Sequence, residues 1–197
     1  MIYLISDTHF GHNKEFVYKP RGFKNVLEMN ATEIKNWNKT VTPNDDIYML
    51  GDFFLGTDMN FIKIILERLN GKIHLIIGNH DAPAKLKLYR ECSKIVEMAW
   101  ALQIEYNHRK YFLSHYPTFT ADLTAKNPQK CVFNLFGHTH SKAKFYEDKP
   151  YMYNVAADAH DCTPVSIEKI QEDINSEMKN RGFINEIFTN NNRQSKT

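Results

Sequence analysis

A mixed α/β domain of two packed sheets, with helices outside, is the fold that this sequence predicts. Three observations predict it. Apolar runs of strand length recur along the chain, helix-patterned segments separate the early runs, and the second half is rich in strands with little helix between them. At 197 residues the chain suits one domain with a substantial core.

In chain order, the runs are "IYLIS", "DIYML", "KIHLIIG", "WALQIEY", "KYFLSHY", "VFNLFGH" and "YMYNVAA", several of them rich in β-branched or aromatic residues. Between the first two, "VLEMNATEIKNWNKTV" sets Val26, Met29, Ile34, Trp37 and Val41 at mostly helical spacing. After the second, "MNFIKIILERLNG" ends on Asn70-Gly71, a helix stop. "APAKLKLYREC" reads as a further helix for which Asp81 could serve as N-cap. The order is thus βαβ units first, then strands, with a hairpin turn in "EYNHRKY". "SIEKIQEDINSEMKNRG" is the last amphipathic helix and "TNNNRQSKT" a frayed tail, which sets a single domain at 1–189 and a flexible tail at 190–197.

Composition narrows the class. Apolar residues make up 42% and charged residues 24%, an ordinary globular balance. Lys and Arg total 25 against 23 Asp and Glu, so no broad basic footprint for duplex nucleic acid stands out, although a local patch is compatible with the count. The first apolar run is broken by Asp7 and none approaches the length of a membrane span, so the expected location is cytoplasmic with no membrane partner. Cys92, Cys131 and Cys162 are widely spaced with no CxxC pair, and are expected as reduced thiols.

The chemistry sits where the runs end. The first ends in Asp7-Thr8-His9, the second in Gly51-Asp52, the third in Gly78-Asn79-His80-Asp81, the fifth in Ser114-His115 and the sixth in Gly137-His138-Thr139-His140. Five of the nine histidines fall at these ends. Acid and imidazole are costly to bury unless paired or bound to metal, and the rim of a sheet is where α/β folds expose such groups. In extended backbone residues i and i+2 point the same way, so Asp7 with His9, and His138 with His140, are each expected to serve one site. The glycines are expected to allow tight turns and close approach to the backbone. Mixed imidazole and carboxylate ligands suit zinc, iron or manganese better than calcium or magnesium.

DxH, GD, GNHD, a lone His and GHTH, in that order from Asp7 to His140, resemble the calcineurin-like metallophosphoesterase family, in its small single-domain bacterial, archaeal and phage form. The resemblance implies an α/β/β/α sandwich of two mixed sheets, the metallo-dependent phosphatase fold. It implies two divalent metal ions, manganese first, with iron, zinc, nickel or cobalt as alternatives. Asp7, His9, Asp52 and His140 would hold one, and Asp52, Asn79, His115 and His138 the other, with Asp52 bridging. The implied activity is hydrolysis of a phosphate ester by a metal-bridging water or hydroxide. His80 would contact the phosphate and protonate the leaving oxygen, and Asp81 would orient His80.

A small phosphodiester or nucleotide-type substrate is expected over a monoester, because no extra anchor for a dianionic phosphate is evident. The alternatives are a phosphomonoesterase and a non-catalytic interaction module on the same fold. Asn79, His12 and Arg21 are the candidate substrate contacts, Arg21 lying with Lys14 and Lys19 in a basic cluster after the first motif. His74 and His108 read as structural or solvated. Asp158, His160 and Asp161 are expected to support the site or cap a helix rather than bind metal.

Overall fold

The computed structural model describes residues 1–120 and 131–182. Its first strand, β1 (Ile2–Ile5), shows how the alternation of a strand divides the core. Ile2 and Leu4 join one apolar cluster, and Tyr3 and Ile5 join another on the opposite face. The short helix α1 (Glu15–Tyr18) and the helix α2 (Val26–Thr40) follow. Asn25 caps α2 by accepting from the Glu28 amide, and Met29, Ile34 and Trp37 form its buried stripe, as their spacing predicts.

Strand β2 (Asp46–Met49) leads to α3 (Met59–Arg68), whose first amides donate to the N-cap Asp58. The chain turns at Gly71, φ +93°, into β3 (Lys72–Ile76), and α4 (Pro83–Glu91) begins with Pro83 in its first turn. Strand β4 (Ile95–Ala99) completes a sheet of order β10-β1-β2-β3-β4, parallel except for the antiparallel edge β10 (Val165–Ser166). The apolar faces of α2, α3 and α4 pack on one side of it around Trp37, Phe53, Ile65 and Tyr89.

The second sheet has the order β5-β6-β7-β9-β8 and is mixed. Strands β5 (Ala101–Tyr106) and β6 (Arg109–Ser114) are antiparallel, while β6, β7 (Val132–Phe136) and β9 (Lys149–Asn154) run parallel. The edge strand β8 (Phe145–Tyr146) is antiparallel to β9. Asn107 and His108 form the expected hairpin turn, both at positive φ as a type I′ turn requires. Leu4, Leu50 and Ile76 from the first sheet meet Tyr111, Leu113, Phe133 and Leu135 from the second. The last helix, α5 (Ile167–Asn180), adds Ile167, Ile170, Ile174 and Met178 to this core between the sheets.

Two mixed sheets with flanking helices therefore agree with the α/β expectation. Three strands escape the sequence pattern. β4 carries Val96 and Glu97 exposed at the sheet edge, and β8 and β10 are two residues long, too short to show alternation. Trp100 is the link between the sheets and lies outside the strand its apolar character suggests. Asp81 is not the cap of α4, a place that Ala82 takes. The expected tail at 190–197, and the domain limit at 189, lie outside the described residues. Cys92 and Cys162 are thiols outside any disulfide, and Cys131 is buried.

Trp37 ties the helical layer together: its indole stacks on Phe53 at 5.9 Å and its Nε1 donates to the Asn70 carbonyl at 2.8 Å. Trp37→Ala should lower stability by about 3–5 kcal/mol in urea denaturation, with Trp37→Phe losing distinctly less because it keeps the stack.

Candidate metal centre

The ends of β1, β2, β3, β6 and β7 all reach one rim of the two sheets, where the chain leaves each strand sharply. Asp7, His9, Asp52, His138 and His140 have φ of +56°, +49°, +54°, +69° and +50°. This left-handed backbone is uncommon for residues other than glycine and is retained where surrounding contacts impose it. It also corrects the reasoning from extended alternation. Asp7 and His9 do converge, but through left-handed turns beyond the end of β1. His138 and His140 separate: His140 joins Asp7 and His9, while His138 packs beside His115 with ring centroids 5.0 Å apart.

The carboxylates are held on one oxygen and open on the other. Asp7 Oδ2 accepts from the His138 amide at 2.8 Å, whereas its Oδ1 is buried with no donor. Asp52 Oδ1 accepts from the His80 amide at 2.8 Å. Asp52 Oδ2 stands 3.7 Å from His9 Nε2 and 3.6 Å from His115 Nε2, between two groups of nitrogen ligands. Asp7, His9 and His140 form one set whose ligand atoms lie within 4.8 Å of each other, and Asp7, Asp52 and His115 form another.

In the neutral ring, two imidazoles, those of His115 and His140, present Nε2 as an acceptor. His115 Nδ1 donates to the Leu50 carbonyl at 2.8 Å, which in the neutral ring leaves Nε2 bare. That nitrogen meets the Asn79 amide oxygen, another acceptor, at 2.8 Å. His9 Nε2 and His140 Nε2 are 3.2 Å apart, and His140 Nδ1 faces Asp158 at 3.0 Å. Burial above all, with His140 and Arg21 nearby, pushes His9 down to about 2, and burial also lowers His138. Burial raises the Asp7 carboxyl, while the hydrogen bond to Asp158 raises His140. Acceptors converging without donors of their own are what a shared cation reconciles, so these residues fit a bound metal.

Support comes from residues one layer out. Arg21 was expected as a substrate contact; the structure corrects this, because its guanidinium side chain is only 2% exposed and all its donors are committed. Nε and Nη2 grip Asp158 at 3.0 and 2.8 Å, Nη1 reaches Glu33 and the Thr8 carbonyl, and Nη2 also reaches the Asp7 carbonyl. Arg21 therefore fixes the Asp7–His9 turn and, through Asp158, the His140 ring. Asp158 is held well below the carboxylate range: burial opposes this, but hydrogen bonds from His140 and Arg21 prevail. Of its two expected companions, His160 bonds the Asn154 carbonyl and Asp161 offers its carbonyl to Asn36, both away from the ligand sets.

Asp81 also differs from expectation. Its Oδ2 accepts from the Gly78 and Asp52 amides at 2.9 and 3.1 Å, and its Oδ1 from Tyr89, so it orients the backbone that carries Asn79 and Asp52. Lys85, which sequence reasoning missed, donates from a buried ammonium to the carbonyls of Phe54 and His80. A lysine within an amphipathic helix carries no signal that it turns inward. His80 is 48% exposed, with Nε2 3.9 Å from Asp52 Oδ2. His12 packs 5.4 Å from His9 and is lowered to about 4, by burial first and then by His80. Tyr116, also unforeseen, lies edge-on to His115 and His138. His74 is structural, set between Asp46 and Glu97 in the first sheet.

The glycines allow loops to touch each other. A Cβ on Gly137 would strike Ser6 Oγ and Asp7 Oδ2, and one on Gly78 would strike Asp52. A lysine cannot reproduce the fork of Arg21. Arg21→Lys should weaken manganese binding about 10- to 100-fold in titration calorimetry while the far-ultraviolet circular dichroism stays native; unchanged affinity would remove the positioning role.

The chain matches the calcineurin-like phosphoesterase superfamily domain over residues 1–162. It is 36% identical over 174 residues to an uncharacterised protein of Methanocaldococcus jannaschii, covering 86% of this chain and 88% of that one. It is 26% identical over 200 residues to the gene 66 protein of Mycobacterium phage D29, covering 88% and 96%. A solved protein of unknown function from Aquifex aeolicus shares the fold with a TM-score of 0.66 and 27% identity, over 87% of this chain and 98% of that one. With its family match spanning the rim residues from Asp7 to His140, the chain belongs to the calcineurin-like phosphoesterase superfamily.

Proposed function

We propose that this phosphoesterase is a dinuclear enzyme that hydrolyses a phosphodiester, with Asp7, His9, Asp52 and His140 around one divalent ion and Asp52, Asn79, His115 and His138 around the other. The observation that carries the reading is Asp52 Oδ2, set almost equally far from His9 and His115 with its other oxygen tied to the His80 amide. Bound at these residues, two ions, manganese first among the candidates, would supply Lewis-acid charge and an activated water.

The chain's own groups complete the chemistry. Water oxygen bonds to phosphorus as one of its protons passes to solvent, and the ester P–O bond breaks with its electron pair on the leaving oxygen. His80 gives that oxygen a proton and regains one from solvent; its half-exposed ring beside Asp52, on a backbone fixed at both ends by Asp52 and Lys85, supports this role. Left-handed turns and buried hydrogen bonds hold the ligands before substrate arrives, so little reorganisation is needed during the reaction. A diester is favoured over a monoester because Arg21, a candidate substrate contact, is consumed by Asp158 and Glu33 and has no donor left for a phosphate. A cytoplasmic location is part of the proposal; among the described residues no helix is long and apolar enough to cross a membrane.

Metal analysis of protein purified without chelators, with hydrolysis of bis-p-nitrophenyl phosphate in manganese, tests the proposal. Bound metal and turnover are expected; neither metal nor turnover with manganese, nickel, cobalt or zinc would overturn it. Asp52→Asn removes negative charge from both ligand sets together, and should lower both metal content and rate, the rate to less than about a tenth of wild type. His80→Ala should keep its metal. It should lose little rate on a nitrophenyl ester, whose anion leaves readily, and about 100-fold or more on an alkyl ester. Equal losses on both esters would leave His80 an electrostatic role alone.

A further inference from the structure

The mouth of the site carries two aromatic rings that no metal-binding role accounts for. Phe16 is 72% exposed, and its ring stands edge-to-face with His12 at 5.5 Å, 88° between planes; His12 in turn packs against His9. Tyr116 is 50% exposed and lies edge-to-face with both His115 and His138, at 5.1 and 4.6 Å. Each ring is thus held against an imidazole of the site and still shows half or more of its surface to solvent. The two adjoin different ligand sets, Phe16 on the His9 side and Tyr116 on the His115 side.

A phosphodiester centred on Asp52 sends its two ester arms away from phosphorus in different directions. We propose that Phe16 and Tyr116 are stacking platforms for those arms, and that the substrate class is a phosphodiester bearing a nucleobase on each side, of dinucleotide size. This rests on the phosphodiesterase reading above. An exposed ring beside a phosphate site gains little from small alkyl arms, whereas every base offers a π-face to it. The near-balanced charge of the chain, with no broad basic footprint, fits a short substrate rather than a duplex. A cyclic mononucleotide, with one base, would engage one platform only.

The test compares a dinucleoside monophosphate with its abasic analogue, which has the same backbone and leaving group. Phe16→Ala and Tyr116→Ala should each lower kcat/KM about 10-fold more on the dinucleoside than on the abasic diester, with the double variant losing the product of the two selective factors. Independently of turnover, a 2-aminopurine dinucleotide should be quenched on binding to the wild type and less so by each single variant. Equal losses on the two substrates, no loss on either, or quenching unchanged in both variants would overturn the platforms. Wild-type turnover of bis-p-nitrophenyl phosphate without turnover of the dinucleoside would overturn this substrate class and leave the phosphodiesterase standing. Absence of turnover on all three would overturn both.

Discussion

Five polar residues at the rim must keep a backbone conformation that costs each of them roughly 1–3 kcal/mol, and much of the surrounding structure is arranged to impose it. The Asp7 turn is pinned by Arg21 on its carbonyl and by Gly51 on its amide, and the Asp52 turn by Asp81. Ser6 binds the two sheets where they converge, its amide and carbonyl bonding to Val155 and Ala157 at 3.0 and 2.8 Å. Each of these contacts opposes relaxation of the turn and so keeps the carboxylate or imidazole on it aimed at the rim.

Electrostatics adds a second cost. Open carboxylate oxygens and imidazole nitrogens crowd together in a mostly buried space, with His9 at 2% exposure and Asp7 at none. In such surroundings acceptor–acceptor contacts repel strongly, since the effective dielectric constant is well below that of water. The fold supports this because two separate apolar clusters lie beneath the rim, one under the helices and one between the sheets. The arrangement resembles a loaded receptor for positive charge: the chain meets the repulsion on folding, and a cation bound there would relieve it.

Much of this was written in the sequence at the ends of the strands. The seven ligand-type residues, and His80 with them, come to one rim because each follows an apolar run, and runs of that kind end at the same edge of a parallel sheet. The route by which Asp7 and His9 converge was not readable, because φ is a property of the packed loop and not of the residue type. Arg21 and Lys85 were misread or overlooked for a related reason. A cation looks solvated in sequence, and only tertiary structure shows that buried carbonyls and carboxylates have claimed it. Strands β8 and β10 gave no pattern because two residues cannot alternate.

The partners that build the rim lie far apart along the chain. The His138 amide and Asp7 are separated by 131 positions, and His115 and its Leu50 carbonyl by 65. Contacts of that separation are made only after the chain has closed large loops, so their formation belongs late in folding. A nascent or partly folded chain thus holds its histidines and carboxylates as scattered monodentate groups with little claim on free metal. The site is therefore a property of the finished molecule, and the order of events is set by the chain: both sheets must dock before the ligand-type groups stand together.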